Sequence, residues 1–142
     1  MPEKEVKTSS RPIAITIIAV LFTLWGLMVF ADFTGIMTPK MDGKAVNVIL
    51  GFRIFGVYAK IMDAIQLVLI ALMIFGLFKM KKLFGFFISF AYMVYAVVST
   101  HSWVLMAGAE VPKRAKLGYD IFGIIAAGLI CIALYVNREK FS

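Results

Sequence analysis

Histidine and cysteine are almost missing: His101 and Cys131 are the only examples in 142 residues. A lone cysteine excludes an intrachain disulfide and any redox cycle that needs two thiols. A lone histidine excludes a haem held by two histidines of one chain, and the histidine-rich zinc sites. Charge is also scarce, at 16% of residues against about 25% in an average soluble domain. There is no Walker phosphate loop, no GxSxG, no HExxH and no CxxC. Ser, His and Asp occur, but nothing sets a water-accessible nucleophile beside an oriented base. These absences point away from an enzyme and lead us to expect no cofactor. Asp63, His101 and Asp120 offer carboxylate and imidazole donors, yet a single histidine is thin support for a metal centre, and none is expected.

What fills the chain instead is apolar. Such side chains make up 62% of the sequence, and the mean hydropathy is +0.94. A water-soluble fold this small has too much surface for its volume to hide that many apolar groups. Four bilayer crossings of about 20 residues each would absorb them. The composition therefore predicts an all-α integral membrane protein, folded as one antiparallel four-helix transmembrane domain over residues 1–142. The formal net charge is +7. Its basic residues fall mostly between apolar runs, as membrane flanks do, and form no aromatic-interleaved stripe for nucleic acid.

Residues 1–12 read as a short polar tail. The first span is expected over about 13–30. A signal-peptide reading with a cut after Ala31 is possible by pattern, but the apolar stretch is longer than a usual signal core, so retention is expected. Gly35, Pro39 and Gly43 mark the next segment as a loop. Residues 45–78 are apolar with few breaks. As one helix they would measure about 50 Å, too long for a core about 30 Å thick. The expectation is therefore a first segment over 45–58, bent at Gly51 and Gly56, that lies flat as a short interfacial helix or projects beyond the interface as an extension of the next span, and then the second span over 59–78. Lys79, Lys81 and Lys82 form a tight basic turn into a third span over 83–106. A loop holding Glu110 and Pro112 leads to the fourth span over 117–136.

Four crossings put both ends of the chain on one side. That side carries Lys4, Lys7, Arg11, Lys79, Lys81, Lys82, Arg138 and Lys140. The other carries Lys40, Lys44, Arg53, Lys113, Arg114 and Lys116. The positive-inside tendency favours both termini in the cytoplasm.

Polar groups enter the spans unevenly. Lys60, Asp63 and Gln66 recur every three residues, so they share a helical face. Ser99, Thr100, His101 and Ser102 lie late in the third span, and Asp120 lies early in the fourth. In an antiparallel bundle Asp63, His101 and Asp120 fall at one depth, about 5–8 Å inside the outer hydrocarbon edge. Asp32, Arg53 and Glu110 sit just beyond them. The structural account is that Lys60 snorkels or neutralises Asp63, while His101 and Asp120 make local hydrogen bonds. The functional account is a pocket for a ligand, a quinone headgroup or a proton. Gly123, Ala127 and Cys131 share a stripe with Asp120, a small-residue pattern that lets helices approach closely. Tyr58, Trp103, Tyr119 and Tyr135 read as an interfacial aromatic belt, and Trp25 as packing.

Three stretches, RPIAITIIAVLFTLWGL (11–27), GLFKMKKLFGFFISF (76–90) and LYVNREKF (134–141), resemble a broad set of small prokaryotic four-span membrane proteins. The resemblance implies a four-span bundle in a bacterial or archaeal cytoplasmic membrane, and carries no activity or functional residue. A second likeness is to DoxX-like four-span proteins, which are associated with quinone-linked electron transfer.

Three functions follow as expectations. The first is a non-enzymatic accessory or structural subunit, surrounded by membrane lipids and packed against a membrane partner or its own copies. The second is a small transporter, channel or ion-handling component using the polar layer. The third is a quinone- or lipid-binding accessory of a redox complex, with an amphiphile beside His101.

Overall fold

The computed structural model describes residues 10–37, 40–106 and 113–142. Pro39, Glu110 and Pro112 lie outside them. Four helices are long and apolar enough to cross a membrane. The first, α1 (Ile13–Thr34), follows Pro12 and ends where Gly35 turns left-handed at φ 86° and donates its N–H to Asp32 O. It is apolar on every side, which suits hydrocarbon better than a protein–water boundary. It runs four residues further than the span expected from hydropathy.

After α1 the chain forms a small antiparallel meander: β1 (Lys40–Met41), β2 (Lys44–Ile49) and β3 (Phe52–Phe55). This corrects the expected interfacial helix over 45–58. Two-residue turns join the strands, at Asp42–Gly43 and Leu50–Gly51, and all four residues have positive φ. Both are tight hairpin turns, the first with the Asp-Gly pair that favours them. Val46, Val48 and Ile49 are β-branched and suit a strand. Gly51 and Gly56 do serve as bends, the latter at φ 62° just before α2. A sheet with open edges cannot lie in hydrocarbon, so the meander belongs at the bundle's end, in the interface or beyond it.

The second span, α2 (Val57–Phe78), packs along α1 and starts two residues before its expected boundary. The third crossing is composite. A π-helical segment, Lys82–Ile88, passes into α3 (Ser89–Met106). The fourth, α4 (Lys113–Val136), begins four residues early and leans mainly on α3. A short 3-10 turn, Arg138–Lys140, follows it.

The two ends of the bundle differ. At the end holding Lys79–Lys82, Ile15, Ile18, Ile70, Met73, Leu77 and Leu134 are buried in one cluster. Gly76 and Gly85 bring α2 and the π-helical segment into backbone contact: a Cβ on Gly76 would fall 2.1 Å from Gly85 N. Arg11 donates to Phe78 O at 3.2 Å and lies over the Phe78 ring, tying α1 to the end of α2. Phe141 is buried against Phe86, and the Ser142 N–H donates to Met80 O. At the meander end the helices part and polar side chains enter.

Candidate functional site

α1, α2, α3 and the meander line a half-open cavity of about 480 Å³ at that end. This volume is in the range of small-molecule sites. Asp63, on α2, is its central polar group. The residue is 2% exposed, and its side chain lines the cavity. Asn47 Nδ2 donates to Asp63 Oδ1 at 2.8 Å, and the Asn47 side-chain Oδ1 accepts from the Val48 N–H at 2.7 Å. The Asn47 amide is thus held from both ends and aimed at the carboxylate. The meander is what makes this possible, because β2 carries Asn47 over the start of α2. Gln66, one helical turn on from Asp63, lines the same cavity.

The opposite wall is aromatic and hydroxylic. Trp25 Nε1 donates to Tyr92 Oη at 2.9 Å, and the Tyr92 and Tyr95 rings lie 6.4 Å apart. Phe22 meets Tyr92 edge to face beneath them. Ser99 and Thr100 complete this wall from α3, and Ser99 Oγ also accepts from the Leu50 N–H at 3.2 Å, docking the hairpin turn on the helix. Asp32 adds a second carboxylate to the lining.

The remaining residues of the expected polar layer lie elsewhere. Lys60 donates to the Asp32 and Phe33 carbonyls at 2.5 and 3.1 Å, so it caps the end of α1. A cation at a helix C-terminus satisfies exposed carbonyls and meets the favourable end of the helix dipole. Its stem thereby joins α2 to α1. His101 Nδ1 pairs with Asp120 at 3.0 and 3.2 Å, linking α3 to α4. The His101 side chain is 53% exposed, and neither partner lines the cavity. The shared depth of Asp63, His101 and Asp120 therefore does not make one site: Asp63 lines the cavity, whereas His101 and Asp120 pair outside it.

Among the described residues no cluster of three His, Cys, Asp or Glu side chains could hold a metal ion. On α4, Gly123 faces Thr100 of α3, with a built Cβ 3.5 Å from its Cγ2, and Ala127 is buried. Cys131 is half-buried against the core. Gly123 thus serves the α3–α4 contact, and Ala127 and Cys131 pack with the apolar core. Trp103 and Tyr119 meet edge to face at 5.8 Å near the open end, and Arg138 lies over the Tyr135 ring at the closed end.

Of the residues lining this cavity, the sequence singles out Asp63 and Gln66 as polar-layer candidates, but not Asn47, Tyr92 or Tyr95, and it marks Trp25 as packing. The signal for Asn47 was a lone amide in a β-branched run just after an Asp-Gly pair. The tyrosines carried a usable signal too: each sits well inside a span, where a phenol needs a partner or water. The chain matches no family model, no curated protein and no solved structure.

Proposed function

We propose that this membrane protein binds a small amphiphile, with the polar end of the ligand in the cavity between α1, α2 and α3. The observation that carries the reading is the buried Asp63 carboxylate, presented by Asn47 on the wall of a ligand-sized space. A bundle that only filled membrane would gain more from packing that space with apolar groups than from keeping a carboxylate there. A second pocket of about 390 Å³ adjoins it, lined by Gln66, Tyr92 and Tyr95 together with apolar side chains of α2 and α3. The pair of spaces matches a polar head and an apolar body. The packed end beyond Met73 favours a blind cavity over a through pore.

The positive-inside tendency supports both termini in the cytoplasm of a bacterial or archaeal cell. The cavity then faces the outer half of the cytoplasmic membrane. An accessory role in a larger complex is a second reading. Its support is the broad apolar side of α4, where Phe122 is 74% exposed and a Cβ on Gly128 would meet nothing within 4 Å.

The test is native mass spectrometry of protein released from lipid nanodiscs, for the natural chain and for Ala96→Trp, which fills the cavity. The expected result is a co-purifying small molecule that the variant loses. Identical spectra from both proteins, with bulk phospholipid alone, would overturn the binding reading. A uniformly monomeric spectrum free of other chains would count against the subunit reading.

A further inference from the structure

The geometry points to the class of that amphiphile: a cationic head, an amine or quaternary ammonium, carrying an apolar chain. The inference rests on the amphiphile-binding reading and adds the sign of the ligand's charge. Among the described residues that line the cavity, the ionisable acids are Asp32 and Asp63, and no Lys, Arg or His joins them. This is notable in a chain of net charge +7. Lys60, a neighbour of Asp63 on α2, sets its ammonium on the carbonyls at the end of α1 and does not line the space, although its charge still acts on Asp63.

The facing wall suits the same ligand. Trp25, Tyr92 and Tyr95 lie together, and aromatic faces attract cations through the ring quadrupole, strongly so out of water. The Trp25–Tyr92 hydrogen bond holds two of the three rings in place. A carboxylate and aromatic rings lining one cavity stabilise an onium head without requiring it to donate a hydrogen bond. An anionic head would meet Asp63 at close range in a medium that screens charge poorly. A neutral head would leave the buried carboxylate without a counter-charge from the ligand. The apolar chain has its own place: the pocket beside Met62, Ile65, Leu69 and Ala91 shares Gln66, Tyr92 and Tyr95 with the cavity. A ligand that turns at Gln66 fills both.

The experiment uses Trp103→Phe protein in nanodiscs, which leaves Trp25 as the sole tryptophan and so reports from the cavity wall. Decyltrimethylammonium is titrated against its uncharged carbon isostere, in which a tert-butyl group replaces the trimethylammonium. Empty nanodiscs correct for partitioning. The expected result is saturable quenching of Trp25 by the cation, at least tenfold weaker for the isostere. In Asp63→Asn the cation's advantage should fall severalfold, the aromatic wall and Asp32 keeping the remainder, while the isostere is unaffected. Equal binding of both compounds would overturn the charge inference and leave the amphiphile reading standing. Saturable binding of neither would remove both. Since the comparison of the two compounds is made on a protein with Asp63 intact, it does not depend on the variant folding.

Discussion

Asn47 and Gly76 show how much single residues carry in this chain. Asn47 supplies the hydrogen bond that a buried Asp63 carboxylate accepts. Removing that donor leaves a desolvated acceptor, at a cost of about 1–3 kcal/mol. Asn47→Ala should therefore lower the melting temperature of the nanodisc-embedded protein, and Asn47→Ala combined with Asp63→Leu should recover part of the loss. A double variant no more stable than the single one would mean that the pair is not coupled. Gly76 has a different task. Its lack of a side chain permits backbone contact with Gly85. A methyl group there must push two helical segments apart, which costs typically 1–3 kcal/mol. Gly76→Ala should destabilise clearly, whereas Gly118→Ala, where a Cβ meets nothing within 4 Å, should be neutral or slightly stabilising. Equal melting temperatures for the two would contradict the close approach. At this scale the sequence revealed little. It contains eleven glycines, and nothing in the local pattern of Gly76 or Gly85 marks them as partners nine residues apart. Asp63 was legible because a carboxylate inside an apolar run is conspicuous by cost alone.

Among the elements, helices and strands differed in how plainly they could be read. Long apolar runs located all four helices, because hydrocarbon leaves a lipid-exposed chain no other way to satisfy its backbone. The ends were less certain. Hydropathy cannot see that Lys113 and Arg114 continue a helix into the interface, nor that α1 reaches Thr34 before Gly35 stops it. The meander was misread because residues 45–58 were judged on apolar content and length. Two turn pairs and the β-branched residues between them held the better signal. One of those turns is strained. Leu50 has φ 49° at a position that favours Asn or Gly. Leu50→Asn should raise the melting temperature, by an amount corresponding to about 0.5–1 kcal/mol, with ligand binding unchanged. A fall in stability would show that the Leu50 side chain contributes more by packing than its backbone loses by strain. His101 and Asp120 were both noticed as polar groups at the right depth, but their joining of α3 to α4 depended on helix rotation. Depth is encoded by position along a span; azimuth follows from how four helices settle against one another.

For the molecule as a whole, the main property is polarity between its ends: one packed through apolar side chains and glycine contacts, the other parted around a cavity. The two ends should lie on opposite sides of the membrane. Cys131 is the sole cysteine, so Cys131→Ala provides a background in which single new cysteines report their side. With an impermeant maleimide on intact cells, Asp42→Cys should be labelled, while Lys81→Cys and Lys140→Cys should react only after the membrane is opened. Labelling of Lys81→Cys and Lys140→Cys alone in intact cells would reverse the orientation. Labelling of Lys81→Cys and Asp42→Cys from the same side would contradict the crossing of α2. Composition was enough to place this chain in a bilayer, whereas the cavity was visible in the sequence only as scattered polar residues, since a cavity is a relation among elements.

The Gly76–Gly85 contact makes the closed end a fulcrum. From Gly76 to the start of α2 the helix is a rigid arm about 28 Å long. Tilting it by about 5° at the glycine pair would swing the far tip by about 2–3 Å, close to the diameter of a water molecule. The capacity of the pocket is thus leveraged by side-chain fit at the packed, opposite end. Substitutions around Gly76 should therefore change the size of the cavity without lining it.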